Sequence, residues 1–496
     1  MRALTRLCLM VLAAMLMLAS DSSPSAGQHL TVSSDRAALL VIEGDQNEAF
    51  FGFDVASAGD VTNDGYSDIL IGAPNYTGPS NLEKEGAAFV YYGSPQGIDT
   101  SSRWRSYGGQ AGASFGHAVD TLGDANNDGF ADIAVGVPGY DGDEAHIDQG
   151  LVVAFYGRYD GLRSTEDWSY TTPITGFWLG AAMSAAGFVN NDDYADLIVG
   201  APSNPAFSDQ QNVEEAALVF LGSSSGLESD YTWRLEARQA VTKYGVSVAG
   251  AGRINDDDFH DLLVGAPEYK KDGNPVGRAF VYLGQNPGSG DTLTETWTYP
   301  PPDLQQQGSR LGAAVSSAGN VNGDDYDDIL IGAPFAEDGV YREGVAYVFQ
   351  GSPGGLPPMA TLILPSGQQG SRFGAAVASA GDVNGDGYDD VIVGAPAWTP
   401  AGQRSGAGAV FAFHGSASGL SEMPDWRWYG DEAGAALGTS VSSAGDIDGD
   451  GYDDIIVGAP YRNNGRGAIY IFYGSETGLL KLSIRVFLPL VLCAAP

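Results

Sequence analysis

Cysteine is nearly absent from this chain of 496 residues, which holds only Cys8 and Cys493. Cys8 lies in an N-terminal leader-like run, so Cys493 is left without a partner and no internal disulfide is expected in the mature chain. Positive charge is also scarce. Lys and Arg number 24 against 62 Asp and Glu, a formal charge of −38. That balance excludes nucleic acid or an anionic membrane surface as an electrostatic partner. The five histidines, at 29, 117, 146, 260 and 414, have no ligand spacing. His-Glu-x-x-His and phosphate-cradling motifs are missing, so no catalyst is legible. Long apolar runs are missing too. Leu7–Leu18 is too short to span a bilayer. With Arg2 and Arg6 before it and Ala19, Ser20, Ser25 and Ala26 after it, this run reads as a secretory signal over residues 1–26, followed by a linker over 27–37.

Glycine, in contrast, is abundant at 70 residues, and 43% of the chain is hydrophobic, enough for a packed core. One segment repeats. An Asp/Asn-rich loop followed by Gly-Ala-Pro or Gly-Val-Pro occurs seven times, its first position at residues 60, 124, 188, 253, 320, 382 and 446. The steps are 64, 64, 65, 67, 62 and 64 residues, and so even a period marks an array of one structural unit. Each unit carries four short apolar stretches, in the sixth Phe373–Ser379, Asp390–Val393, Ala407–Phe413 and the region of Trp426–Tyr429. Val, Ile, Phe, Tyr and Trp separated by Gly, Pro and Asp are the grammar of strands and turns, and no sustained helical period competes. The expected fold is all-β: a seven-bladed β-propeller of four-stranded antiparallel blades over residues 38–480.

A propeller must join its ends. Ala38–Glu43 and Gly44 lie seven residues before Phe51, just as the fourth strands ending at Gly108 and Gly430 precede Phe115 and Leu437. The N-terminal strand is therefore expected to complete the last blade. Leu482–Leu488 competes for that place, weakened by Pro489 and a lost register. The tail 481–496 is left over, either as a targeting or processing segment or as a strand-like extension on the last blade.

The repeated loop has the pattern D-x-[DN]-x-[DN]-G with Asp at position 9. It sets side-chain oxygens at alternate positions around a glycine bend, as calcium requires. Four copies are complete: Asp60, Thr62, Asp64 and Asp68; Asp124, Asn126, Asp128 and Asp132; Asp382, Asn384, Asp386 and Asp390; Asp446, Asp448, Asp450 and Asp454. A fifth, Asn320, Asn322, Asp324 and Asp328, has Asp325 in place of the glycine and is expected to bind more weakly. The third and fourth loops open on Phe188 and Arg253. Phe offers no ligand, and a guanidinium can stand where the cation would. The expectation is four or five calcium sites that act as structural clips, with affinities of order 10⁻⁴ to 10⁻³ M as in extracellular modules. The alternative for any one loop is a solvated Asx-rich turn.

The pairs Phe51-Gly52 with Gly72-Ala73-Pro74, and Phe373-Gly374 with Gly394-Ala395-Pro396, each spanning a calcium-type loop, resemble FG-GAP repeats, which build the propeller of integrin α subunits. The resemblance covers residues 38–480. It implies the propeller, the cation loops and an extracellular adhesion or recognition role, with partners on the face opposite the calcium loops. It does not imply an integrin, since no further ectodomain, membrane helix or inserted domain is read; a signal with no disulfides looks more like a bacterial exported protein. On that face the loops between second and third strands carry Tyr140, Asp141, His146, Tyr269, Lys270, Tyr341, Arg342, Trp398, Tyr461 and Arg462, a hot-spot composition. The reading is a monomeric, exported, calcium-binding scaffold, not an enzyme, that binds an extracellular or cell-surface protein. The alternatives are a glycan-binding, lectin-like propeller and, third, a hydrolase at the channel mouth.

Overall fold

The computed structural model describes residues 39–480 except 102, 205, 207–213, 289–292, 301–306, 339 and 401–405. The expected signal and linker, and the tail with Leu482–Leu488, lie outside the described residues. Among the described residues there are seven four-stranded antiparallel sheets, each with its strands in chain order except the last. Blade I is Val55–Gly59, Asp68–Ala73, Ala87–Tyr91 and Arg103–Tyr107. Blades II to VII begin at Val119, Ala182, Ser247, Ala314, Ala376 and Val441. Every innermost strand lies against that of the next blade, and the seventh lies against the first, so the blades form a closed ring. Blade VII is completed by Leu39–Glu43, which pairs with Ala468–Phe472 in the register Leu39 to Phe472 through Glu43 to Ala468. The expected closure by the N-terminal strand is what the structure shows.

The burial of each strand follows from its sequence. Second strands such as Asp390–Ala395 (DVIVGA) are buried along their whole length, because both sheet faces meet a neighbouring blade. Innermost strands such as Ala376–Gly381 (AVASAG) use small residues, which suits their crowding at the axis. All seven carry a bulge just before their last glycine, for example between Ser379 and Gly381, which turns the chain into the Asp-rich loop.

The structure differs from expectation at the FG pair. The strand expected from Phe373 starts at Ala376, and Phe373 instead bridges in parallel to Gly344 of the preceding blade. The following glycine is committed in two directions. Its N–H donates to the carbonyl of the Gly-Ala-Pro glycine of its own blade at 3.0–3.1 Å, from Gly52 to Gly72 through Gly438 to Gly458, in all seven blades. Its own carbonyl presses on the Gly-Ala-Pro glycine of the blade before. A Cβ on Gly72, Gly136, Gly200, Gly265, Gly332, Gly394 or Gly458 would sit well under 3.0 Å from that oxygen. The two glycines of the signature thus meet across the blade interface. We expect Gly394→Ala to lower stability by about 1–3 kcal/mol through overpacking. Gly354→Ala, where the nearest atom is 3.9 Å away, should stay within about 0.5 kcal/mol. Urea unfolding checks both, and equal midpoints would contradict the interface argument.

Candidate functional site

All five predicted cation loops lie between first and second strands, and the Asp at position 9 opens the second strand in every blade. In the four complete loops the first Asp folds back on its own turn. Asp60 accepts N–H bonds from Asp64 (3.0 Å) and Gly65 (2.7 Å), Asp124 from Asp128 (3.0 Å) and Gly129 (2.8 Å). Asp382 accepts from Asp386 (3.1 Å) and Gly387 (2.8 Å), and Asp446 from Asp450 (3.1 Å) and Gly451 (2.9 Å). The glycine at position 6 has φ between 88° and 92° in these loops, which is why glycine stands there. In the fifth loop Asp325 holds the same left-handed turn at φ 74°.

The loops differ in how far their oxygens converge. In blade VII, carboxylate oxygens of Asp446, Asp448 and Asp454 lie within 4.8 Å of one another, the only such acidic group among the described residues. An all-oxygen set of three carboxylates in a tight turn fits a hard divalent cation. In blades I, II and VI position 3 is Thr62, Asn126 or Asn384, so fewer carboxylates meet. In the fifth loop the amide of Asn322 donates to Asp324 at 3.0 Å, as Asn190 does to Asp192 at 2.7 Å in the third. A side-chain donor therefore serves Asp324 in the fifth loop as it serves Asp192 in the third. In the fourth loop Arg253 Nε donates to the Asp257 carbonyl at 3.2 Å. Phe188 is 39% exposed and meets the ring of His260 at 5.3 Å.

The Asp at position 9 has a role beyond ligation. In the third loop Asp196 accepts N–H bonds from Val189 (2.8 Å) and Gly222 (2.9 Å). Asp68, Asp132, Asp328, Asp390 and Asp454 are pinned in the same way by one loop N–H and one glycine N–H beyond the third strand. Burial pushes these carboxyls up, Asp68, Asp196 and Asp328 to about 7 and Asp132, Asp390 and Asp454 to about 8. A bound cation would oppose that shift. The loops are also joined to one another: the position 8 N–H of each blade donates to the position 1 carbonyl of the preceding blade, from Ser67 to Asp446 through Asp453 to Asp382.

Two features escape a motif search. Gln46, Gln110, Gln239 and Gln368 each stand five residues before an FG-type aromatic, and each clamps one residue of the next second-to-third-strand loop with both its amide atoms. Gln46 donates to the Thr77 carbonyl at 3.0 Å and accepts its N–H at 2.7 Å. The other three do the same to Asp141, Lys270 and Thr399. The recurrence of Gln at a fixed offset was the available signal. At the axis, a cavity of about 260 Å³ is lined by all seven innermost strands, including Asp54 and His117. Asp54 accepts bonds from Val55 N (3.1 Å), Val119 N (2.9 Å) and Ser440 Oγ (2.9 Å), so it ties blades VII, I and II. Burial lifts it to about 6, and burial together with the charge of Asp54 lifts Asp120 to about 7. Other repeats hold Ala or Ser at both places, so an internal alignment would have exposed these two.

The aromatics of the second-to-third-strand loops divide. Tyr140, Tyr269 and Trp398, two residues after the Gly-Ala-Pro or Gly-Val-Pro proline, pack onto blade cores. Tyr341 and Tyr461 remain 57% and 45% exposed. Arg462 is held by Glu43, Asp431 and Glu432.

A ring of seven blades locked by paired glycines, with Asp-rich hairpins on one face, is a seven-bladed β-propeller, and five of its blades carry FG-GAP repeats. The FG-GAP repeat model matches residues 51–91, 115–152, 311–349, 373–413 and 437–472. The two blades it leaves out, III and IV, are those whose loops open on Phe188 and Arg253. Integrin alpha-5 of Xenopus laevis is 34% identical over 245 residues, 46% of this chain and 21% of that protein. Integrin alpha-V of Gallus gallus is 29% identical over 279 residues, 53% of this chain and 25% of that protein. Phosphatidylinositol-glycan-specific phospholipase D of Bos taurus is 27% identical over 406 residues, 76% of this chain and 45% of that protein. The chain spans less than half the length of each of these relatives.

The last likeness corrects one expectation. The chain was read as no enzyme because its repeats show no catalytic motif, yet a longer match joins it to a phospholipase. A propeller is a scaffold that enzymes and non-enzymes share, so a search confined to its repeats cannot decide between them. Among the described residues no helix is long and apolar enough to cross a membrane.

We expect Asp196→Ala to cost about 1–3 kcal/mol, the penalty of leaving the buried Val189 and Gly222 N–H groups without an acceptor, equally with calcium and with chelator. Asp446→Ala should lower the melting temperature in calcium and abolish its difference from the chelated state at that loop. Thermal unfolding of both variants in the two conditions checks this, and a chelator-dependent loss in Asp196→Ala would contradict it.

Proposed function

We propose that this chain is an exported propeller whose Asp-rich hairpins are clipped by calcium and whose opposite face binds an extracellular or cell-surface protein. The Asp446, Asp448 and Asp454 cluster carries the cation part of this reading, and the same loop pattern extends it to the loops at Asp60, Asp124 and Asp382 and, more weakly, at Asn320. Calcium fits because the donors are oxygen only and the turn is compact. The likeness to integrin α subunits supports recognition of a protein, and the exposed Tyr341 and Tyr461 supply aromatic anchors on the face that would do it. The closed ring needs no second copy to complete its sheets, in keeping with a monomer.

A second reading has its own support. The likeness to phosphatidylinositol-glycan-specific phospholipase D covers 76% of this chain, so hydrolysis of such a lipid is the activity to assay. Two measurements separate the readings. The purified chain is first tested for capture of a surface protein in calcium and in chelator, with the Asp446→Ala variant beside it. It is then incubated with a reporter protein on a phosphatidylinositol-glycan anchor, and release is followed. Capture in calcium only, lost in the variant, with no release, is the expected result. Release of the reporter would establish the second reading, and capture indifferent to calcium would remove the clip from the mechanism of recognition.

A further inference from the structure

At the seam where blade VII meets blade I, on the face opposite the Asp-rich loops, the structure holds a cleft of about 930 Å³. Its size is within the range of small-ligand sites. One wall is aromatic: Phe50 and Tyr461 lie 5.2 Å apart at 58°. The remainder is polar, with Glu48, Asn75, Lys84 and Asn464 among its lining residues. These four side chains make no hydrogen bond or ion pair with another described residue.

The repeat itself shows which of these residues are departures. Three places before the FG-type aromatic, five blades use glycine with φ between 71° and 79°: Gly112, Gly176, Gly308, Gly370 and Gly434. Glu48 takes that place in blade I with φ 59°, as Val241 does in blade IV with φ 58°, so a carboxylate is held at a left-handed position that five blades give to glycine. Directly after the Gly-Ala-Pro or Gly-Val-Pro proline the other blades hold Asn75, Gly139, Ser203, Glu268, Phe335 and Ala397, whereas blade VII holds Tyr461. Asn463 and Asn464 follow, both left-handed at φ 51° and 61°. Broken local rules that converge on one cleft mark selection for something other than folding.

We propose that this cleft binds a neutral oligosaccharide. A sugar ring presents a C–H face that stacks on an aromatic ring, and a rim of hydroxyls that both donate and accept. The cleft offers an aromatic wall beside two amides, which donate and accept, and carboxylates, which accept. An apolar peptide segment would call for a mostly apolar lining. A charged ligand would call for one sign of charge, and here Glu48 and Glu83 stand with Lys84. The proposal rests on reading this face as the recognition face.

The test is calorimetric titration of the purified full chain with maltotriose, cellotriose and chitotriose at millimolar concentration, in calcium. At least one is expected to bind. Tyr461→Ala should weaken it about tenfold or more, as loss of an aromatic anchor does. Glu48→Gly installs the glycine of five other blades, so it should keep or raise the melting temperature while binding falls about fivefold. Tyr159→Ala, at a residue 82% exposed between the third and fourth strands of blade II, should leave binding unchanged. No binding by any of the three sugars would overturn the proposal, and so would binding untouched by both cleft variants. Capture of the surface protein, measured on the same variants, keeps the two readings apart: capture retained where no sugar binds removes the oligosaccharide and leaves the scaffold standing.

Discussion

The contact on which the ring depends is the meeting of two backbones without side chains. In each blade the glycine after the FG-type aromatic, or after the leucine that replaces it at 179, 311 and 437, turns left-handed, at φ between 78° and 84°, and donates to the glycine of its own Gly-Ala-Pro or Gly-Val-Pro tripeptide. Its carbonyl then lies where the Cβ of the preceding blade's tripeptide glycine would be. Neighbouring sheets can approach this closely only because both partners are glycine, and seven such approaches close the ring. The aromatic beside that glycine is then carried into the adjoining core, as Phe51 is against Phe89 and Phe373 against Phe411 at 5.4 Å. The FG and the GAP of the repeat are two halves of one joint, shared between blades.

A ring fixed in this way puts its loops under shared constraint. The Asp-rich hairpins are tied to one another by the bond from position 8 to position 1 of the blade before, and tied to their own blades by the buried Asp at position 9. Loop III keeps this framework although Phe188 stands at position 1, and loop IV, which opens on Arg253, keeps it with Asp261 accepting from Gly284 N at 3.0 Å, because the framework is made of backbone donors and one carboxylate. A cation in the complete loops would add to a turn that already has its shape. On the opposite face the Gln clamps and the inward aromatics steady the longer loops.

Repetition also makes departures readable. Seven copies define what the fold requires at each place, so a residue the fold does not require stands out: Asp54 and Asp120 where the other copies have Ala or Ser, Glu48 where most have Gly, Tyr461 after the proline. Each sits in a cavity or on an open face. Asp54 and Asp120 cost something through burial of a carboxylate, and Glu48 through a left-handed backbone.

Much of this molecule was legible from its residues alone. The period, the seven blades, the N-terminal strand in blade VII and the place of the Asp-rich hairpins between first and second strands all follow from short-range signals, since apolar runs and turn residues act over a few positions and then recur. The acidic pair at the axis, the clamp made by Gln46 and its equivalents, the joint between Gly72 and Gly116 and the double pinning of Asp68 were not legible. Those residues belong to different strands or blades, and only closure of the ring brings them together. The aromatics differ by one place in the repeat: Trp398, two residues after its proline, packs on Phe411 and Tyr429, while Tyr461, directly after its own, stays 45% exposed.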